Sequence, residues 1–596
     1  MTATRSAQSR RRYSKSDERG AVMVLGAILF AFLAIPLCAL AIDTARWWVE
    51  AEHLQAAADA ASTAGVTYMP DDINSARSRA VAVATINGYT AGSGTTVTVT
   101  QGDKPTRLKV TISQSVDNFF ANAFGIGTST ITRSAVADYN GPAPMGSPCN
   151  TFGNEPPGTT AAGPTGSQLP GNIPAGANCT SNPDFWASIN GPDIAKTQGE
   201  RFAARTCAGN EDGCDSANKN TEFDPLGYFY VVRVANPGSP VTIQVYDPAS
   251  VPTGQQCESR PNWGTSSSTT NNANDWTPAD AKLRYPNPAS YASGTTNREA
   301  ATALCTGDND MRTGSQTEAP TVTSFGLRNP TDTQVPTQGT PITSCAKQYR
   351  GYKESEVTTA ALTRGNSNYK DGLASVFHQW NTLCTFTPSV AGDYYLQVRS
   401  NVKFSGAATD TSTSGNSAIF SQSGDDTTVK GTAVNSFGLR AYSGTAGSVS
   451  ISAWKSMRIF VNGENAQTSF NLVRVVPAAQ GKTLNFGFFD VGEGATSSAS
   501  MRIVPPADSN MSSATNCKAS GFVTSNLPTC SMAISTAFNG KQQYMKVPIP
   551  NNYTCTWQSQ GGCWWRVTVD FGGSNGVHDA TTWTAEILGE PIRLVE

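Results

Sequence analysis

The ten residues Ala391-Gly392-Asp393-Tyr394-Tyr395-Leu396-Gln397-Val398-Arg399-Ser400 carry the reading of the fold. Ala-Gly-Asp bends the chain, because glycine and aspartate supply turn backbone angles. An extended run follows, in which side chains alternate between two faces. Tyr394, Leu396 and Val398 share the face predicted to form a core, and Tyr395, Gln397 and Arg399 the face predicted to meet water. The run has a partner downstream. Cys384-Thr385-Phe386 followed by Gly392–Val398 parallels Cys555-Thr556-Trp557 followed by Gly562-Cys563-Trp564-Trp565-Arg566-Val567. Likewise Phe229-Tyr230-Val231-Val232-Arg233-Val234, leading to Tyr246-Asp247, parallels Phe470-Asn471-Leu472-Val473-Arg474-Val475, leading to Phe489-Asp490. Two copies of one β-module, over 180–405 and 430–596, account for most of this. Ser-Phe-Gly-Leu-Arg occurs at 324–328 and at 436–440 but at different places in the two copies, so the duplication is imperfect or partly chance.

Short aromatic strands separated by Gly, Pro and Asp turns suit β-sandwiches. The 391–400 run resembles the last strands of immunoglobulin-like or pre-peptidase C-terminal-like sandwiches. The chain has 596 residues, with 54 Gly and 34 Pro, which is room for three or four domains. The Gly/Pro-rich stretch 141–179 reads as a linker, and 406–429 as a linker or loop between the modules. The expected fold is therefore mainly β: an N-terminal helix, an α+β stalk domain, then two immunoglobulin-like sandwiches.

Charge and cysteine content narrow the function. A net charge of −2 gives no electrostatic reason to expect nucleic acid as a partner. Of 13 Cys, only Cys38 lies in the first apolar segment; the rest run from Cys149 to Cys563. That distribution fits an oxidising compartment and a disulfide framework whose pairing sequence does not reveal. Cys207/Cys214 and Cys555/Cys563 are close enough to be local staples. Structural zinc is disfavoured, since no CxxC occurs and none of the three His stands beside a close Cys pair.

The N-terminus sets the location. Residues 1–20 form a basic tail with Arg5, Arg10, Arg11, Arg12, Lys15 and Arg19. Residues 21–42 (AVMVLGAILFAFLAIPLCALAI) carry no charge and as a helix extend about 30 Å, the thickness of a bilayer core. A single-pass transmembrane helix with a cytoplasmic N-terminus and an extracytoplasmic ectodomain is expected. The rival is a cleaved signal peptide ending at Ala39-Leu40-Ala41. Against it, the helical pattern runs on past residue 42 with no breaker until Gly65.

Glu18-Arg19-Gly20, the apolar run, Ala41-Ile42-Asp43-Thr44-Ala45-Arg46 and then Leu54-Gln55-Ala56-Ala57-Ala58-Asp59-Ala60-Ala61-Ser62-Thr63-Ala64-Gly65 fall in an order that resembles the TadE/TadG-like family of Flp (tight-adherence) pilus assembly. The resemblance is strong over about the first 65 residues. It continues more loosely to about 140, through the Ala-rich Ser75–Gly88 segment and the Ala123-Phe124-Gly125-Ile126 turn. It implies a pilin-like domain over 43–140, with pilus-assembly or cell-envelope proteins as partners. Leu54, Ala57, Ala58, Ala61, Ala64 and Gly65 recur at helical spacing and form a small-residue stripe on which a partner helix or a sheet can approach closely. A plain anchor with a packed stalk needs no more than this. Prepilins are cut after a Gly with Glu five residues on; here Gly20 is followed by Leu25 at that place. An accessory component that keeps its anchor is thus expected, rather than a processed major subunit.

Catalytic chemistry is not expected. His53 falls in the juxtamembrane helix, His378 among apolar residues and His578 in a predicted turn, and no GxSxG, HExxH or Walker loop occurs. Asp410-Thr411-Ser412-Thr413-Ser414 matches a D-x-S-x-S metal string but sits in a polar stretch. Calcium has two candidate loops, Asn210-Glu211-Asp212 with Asp215 and Asp308-Asn309-Asp310, neither of EF-hand form. No other cofactor is implied. Ectodomain tryptophans, including Trp186, Trp380, Trp454, Trp583 and the adjacent Trp564-Trp565, would stack on sugars if exposed and serve as core if buried. The leading expectation is a membrane-anchored, non-enzymatic accessory component of pilus assembly. The alternative is a surface adhesin or carbohydrate-binding protein recognising cell-surface glycan.

Overall fold

The computed structural model describes residues 16–69, 73–103, 107–139, 143–146, 151–153, 185–252, 306, 308–310, 320–331, 335–357, 359–362, 365–377, 380–444, 448–463, 467–555, 562–573, 577–588 and 592–594. Helix α1 (Ser16–Val66) is continuous through both the apolar run and the Ala-rich stripe, and α2 (Ile73–Ile86) follows. Both pack on an antiparallel sheet of β1 (Thr95–Gln101), β2 (Arg107–Asp117) and β3 (Thr128–Tyr139). Together they make a head domain. Its core joins Leu54, Ala57, Ala58 and Ala61 of α1, Ala76 and Ala80 of α2, and Leu108, Val110 and Ile112 of β2. Gly65 is required at the tightest crossing. A Cβ there would lie 2.6 Å from the Leu108 side chain and 2.7 Å from the Ala76 carbonyl oxygen.

Among the described residues, no helix is long and apolar enough to cross a membrane. The transmembrane helix expected over 21–42 is helical as part of α1. However, the side chains at 33, 35–37 and 39 lie outside the described set, and the remainder do not form an unbroken span. The described large apolar side chains of this half are exposed, Phe32 at 77 %, whereas Leu54 in the head is 0 % exposed.

The rest of the chain is β-structure. The first group of strands is β4 (Thr151–Phe152), β5 (Trp186–Asn190), β6 (Tyr228–Val234), β7 (Val241–Tyr246), β8 (Asn309–Asp310), β9 (Thr323–Arg328), β10 (Pro341–Tyr349), β11 (Trp380–Phe386), β12 (Gly392–Arg399), β13 (Ser412–Ser414), β14 (Ala433–Ser443) and β15 (Val449–Trp454). The second is β16 (Ser456–Gly463), β17 (Gln467–Arg474), β18 (Thr483–Phe489), β19 (Ser500–Val504), β20 (Cys517–Gly521), β21 (Ser525–Leu527), β22 (Ser531–Ala533), β23 (Gln542–Pro548), β24 (Trp564–Asp570), β25 (Val577–Ile587) and β26 (Ile592–Leu594). One layer of the first group runs β11-β7-β14-β5 and the other β10-β9-β12-β6; in the second group the layers run β23-β18-β25-β16 and β22-β19-β24-β17. The two orders are the same, strand for strand in chain order, and every pairing in them is antiparallel. An eight-stranded double sheet in which consecutive strands mostly change layers is a jelly roll. The sandwich expectation thus holds, but the immunoglobulin-like topology does not. Alternation along a strand tells which face is apolar and says nothing about which strand lies alongside.

The rolls are fused. β5 pairs with both β14 and β16, so one layer is continuous across the molecule. In the other layer Met145 bridges Ala453 at the end of β15 and Val473 of β17. The boundary therefore falls at Lys455, between β15 and β16, and not at 406–429. Residues 406–429 are no linker: they include β13, which pairs with β10, and buried Ile419 and Phe420. Ala143, Met145 and Phe152, from the expected linker 141–179, are buried in the joint core; the other residues of that stretch lie outside the described set. At its end the chain returns to the head, where β26 pairs with β3 through Ile592–Tyr139 and Leu594–Ala137.

β12 corrects a further expectation. Tyr394, Leu396 and Val398 do join the core, but Tyr395, Gln397 and Arg399 are buried as well. Tyr395 packs with Phe229, Val231 and Trp454. Arg399 donates to the carbonyls of Ile419 and Ser421, so the 401–430 segment roofs this face. Ser-Phe-Gly-Leu-Arg falls in β9 and in β14, which are facing strands rather than equivalent ones. Phe325 and Phe437 meet edge to face with ring centroids 5.5 Å apart.

Candidate functional site

The site with the clearest construction lies where α1 enters the head. Asp43, Arg46 and Trp47 fall on one helical face at i, i+3 and i+4, and all three grip the loop between β2 and β3. That loop contains a single 3-10 turn, Ala121–Phe124, ended by Gly125 with φ 82°. A helix start leaves backbone N–H groups without partners. Asp43, only 1 % exposed, supplies them from outside: its carboxylate accepts from the N–H groups of Phe119 (3.0 Å), Phe120 (2.9 Å) and Ala121 (2.7 Å). Burial pushes the Asp43 carboxyl upward, but these N–H donors and the Arg46 charge outweigh it and hold the group below the usual aspartate range. Arg46 donates to the Asp117 carbonyl (3.0 Å), and its guanidinium lies 4.1 Å from the Phe119 ring centre. Trp47 Nε1 donates to Asn118 Oδ1 (2.8 Å), and Asn118 Nδ2 donates to the Ile126 carbonyl (3.0 Å). The outcome is a rigid collar whose apolar side chains point away from the protein: Phe119 (67 % exposed), Phe120, Ile126 and Trp48 (66 %).

Residues 20–68 match the family model for Flp pilus-assembly TadE/G-like proteins. No curated protein matches the chain. The Tad match covers nearly all of α1. It includes Asp43, Arg46 and the stripe, and stops at the residues that close the head. Leu54, Ala57, Ala58 and Ala61 are buried against the chain's own sheet and α2, Ala64 is buried too, and Gly65 lies against Leu108 and Ala76. The stripe expected to receive a partner is thus occupied from within, because small side chains admit the nearest elements, and those are intramolecular. Asp43 and Arg46 were visible within the family motif, but not their partners. The adjacent aromatics Phe119-Phe120, next to Asn118, are a local signal from which the collar could be found.

Other predicted residues play structural parts. Cys207–Cys214 and Cys555–Cys563 are disulfide-bonded, as are Cys345–Cys384 and Cys517–Cys530; Cys38 is free and exposed. Among the described residues the one His/Cys/Asp/Glu cluster with converging ligand atoms is Cys207, Glu211 and Cys214, whose two sulfurs are bonded to each other. The carboxylates of the first calcium candidate are engaged. Glu211 accepts from the N–H of Ala208 and Gly209, Asp212 from that of Gln542, and Asp215 from those of Ala217 and Lys219. Asp308 is buried and accepts from Val251 and Ser436. Asp410 caps Ala407 in a turn, as its polar surroundings suggested. His53 is exposed on α1; His378 lies outside the described residues; position 578 is in β25 opposite Asn462, not in a turn. Trp186, Trp564, Trp565 and Trp583 are buried, and Arg440 covers Trp380 at 3.8 Å, so these rings offer no open sugar platform. In the Trp564-Trp565 pair both rings are buried, so neither sheet face presents one to solvent.

The loop between β5 and β6 straps the rolls together. Gly199 N donates to Asp490 (2.7 Å), Arg201 N to Thr582 (3.1 Å), and Arg201 Nη1 to Gln542 (2.7 Å). Beneath it Arg458, 2 % exposed, donates to the Gln198 carbonyl (2.6 Å) and to Ser188 Oγ. Tyr228 donates to Glu200, which stands 4.0 Å from Arg458.

Proposed function

We propose that the chain is a membrane-anchored, non-enzymatic accessory component of Flp-type pilus assembly that holds two fused jelly rolls outside the cell. The observation that carries this is the division of α1. Its second half is buried in the head, while Val22, Met23, Val24, Leu25, Ile28, Leu29, Phe30 and Phe32 of its first half stand exposed on a charge-free run. Water is a poor solvent for such a surface, and a bilayer core is a good one. The Tad match over the same helix supports the pilus context. The basic residues before the run support a cytoplasmic N-terminus, and the disulfides beyond it support an oxidising compartment. The glycan-binding alternative gains nothing from Trp186, Trp380, Trp564, Trp565 and Trp583, which are core or covered.

Membrane flotation of the full chain tests the anchor. Wild type is expected to float with vesicles and to resist carbonate extraction. The double variant Leu29→Arg and Phe32→Arg is expected to be released, since each central arginine costs about 2.5–3.5 kcal/mol on insertion scales. A wild-type chain that stays in the soluble fraction overturns the anchor. Deletion of the gene with pilus counts unchanged overturns the pilus role.

A further inference from the structure

The geometry points to the collar of Trp48, Phe119, Phe120 and Ile126 as a membrane-interface seat that docks the head domain directly on the lipid surface. The inference rests on the anchoring reading above and adds a second, separate contact with the bilayer. Asp43 is the first residue after the charge-free run, and it is hydrogen-bonded to Phe119, Phe120 and Ala121. With a rise of about 1.5 Å per residue, the loop backbone is thereby held level with the end of the apolar run. α1 is continuous from one to the other, so the head is not free to drift from the surface its helix enters. The side chains presented at that level are of the interfacial kind. Tryptophan and other amphipathic aromatic side chains favour the headgroup region. Arg46 sits among them with its guanidinium on the Asp117 carbonyl and the Phe119 ring, an arrangement that suits a boundary between apolar and wet surroundings. The aromatics are exposed although the loop beneath them is pinned to α1 through three residues, Asp43, Arg46 and Trp47. They are thus held outward by construction, not left over from loose packing. Ile42 and Leu40 continue the same apolar surface down the helix. That continuity favours lipid over a separate protein partner.

The test uses the full chain in phosphatidylethanolamine/phosphatidylglycerol vesicles, with the photoreactive residue benzoylphenylalanine placed at position 119, at 126, or at Thr100, which is exposed on β1. After flotation and illumination, mass spectrometry of the head peptides is expected to show lipid adducts at 119 and 126, at least tenfold above those at 100. Flotation with no adduct at 119 or 126 overturns the seat and leaves the anchor standing. Adducts to a second copy of the chain in place of lipid also overturn it, since a protein then covers the collar. Failure to float overturns both readings together.

Discussion

The two jelly rolls share a strand order and differ in what they bury at equivalent places. β7 and β18 end in Tyr246-Asp247 and Phe489-Asp490, and both aspartates are buried with left-handed backbones, φ 51° and 70°. Such angles are uncommon outside glycine, and Asp tolerates them better than most residues. In the first roll Asp247 accepts from Thr306 and stands beside Asp308, so it holds a segment of its own roll. In the second, Asp490 accepts from Gly199, on the loop that crosses from the first roll. Each roll also ties its layers with a disulfide near one edge, Cys345 of β10 to Cys384 of β11 and Cys517 of β20 to Cys530 beside β22. The comparison teaches that duplication kept the topology and the backbone device, while the polar group at that device was turned to whichever segment lies over it.

The largest effect comes from cutting the chain as if the modules were separate. A fragment ending at residue 405 lacks β14, the strand between β7 and β5, and also β15 beside β6. Losing a central strand leaves two rows of backbone groups unpaired and opens the core. Residues 180–405 alone are expected to show no cooperative thermal transition. Residues 143–594 are expected to melt as one unit, because both layers run through both rolls. A cooperative transition for 180–405 would break the comparison outright.

This boundary shows what sequence could and could not carry. The parallels at 229–234 with 470–475 and at 392–398 with 562–567 fall on equivalent strands, β6 with β17 and β12 with β24, which hold the same places in their layers. The break between copies lies at Lys455 and not at 406–429, although the latter is polar and glycine-containing and reads as a linker. Its backbone and its few apolar residues, Ile419 and Phe420, instead cover Arg328 and Arg399. A buried arginine that bonds carbonyls leaves no pattern in its own neighbourhood. Nor does a carboxylate such as Asp43, whose three donors lie more than 70 positions away.

The disulfides give the next effect and rank the rolls. Cys345–Cys384 closes a sequence separation of 39, and Cys517–Cys530 one of 13. Loop-closure entropy then gives about 4 kcal/mol for the first and about 3 kcal/mol for the second. Replacing each pair by serine in turn, with stability read from chemical denaturation, is expected to cost more for the 345/384 pair. Equal losses would mean that the unfolded chain is already constrained near 345–384.

The smallest effect has opposite signs in the two rolls. Burial raises the carboxyls of Asp490, Glu493 and Asp579 in the second roll. Burial, and then the charge of Asp247, raises that of Asp308 in the first. An acid raised in the folded state contributes stability that is fully present below its unfolded pKa, near 4, and is lost as pH rises through the folded value. These four groups therefore favour a protein that melts higher at mildly acidic pH than at alkaline pH. Substitution by asparagine separates them. Asp308 uses both oxygens, one for Val251 N and one for Ser436 N, so Asp308→Asn strands a buried N–H and is expected to cost about 1–3 kcal/mol at every pH. Asp579 accepts from Gly492 N through Oδ2 and also feels the Glu493 N–H, while its buried Oδ1 makes no hydrogen bond of full geometry among the described residues. With its amide oxygen in the place of Oδ2, Asp579→Asn keeps the Gly492 bond and removes a charge that burial disfavours. Its melting temperature is expected to exceed the parent's at pH 8, with the gap closing toward pH 4 as the parent carboxyl takes up its proton. A pH-independent gap, or a loss at pH 8, would mean that Asp579 is neutral or paired throughout, and that the second roll's seam stores no charge to relieve.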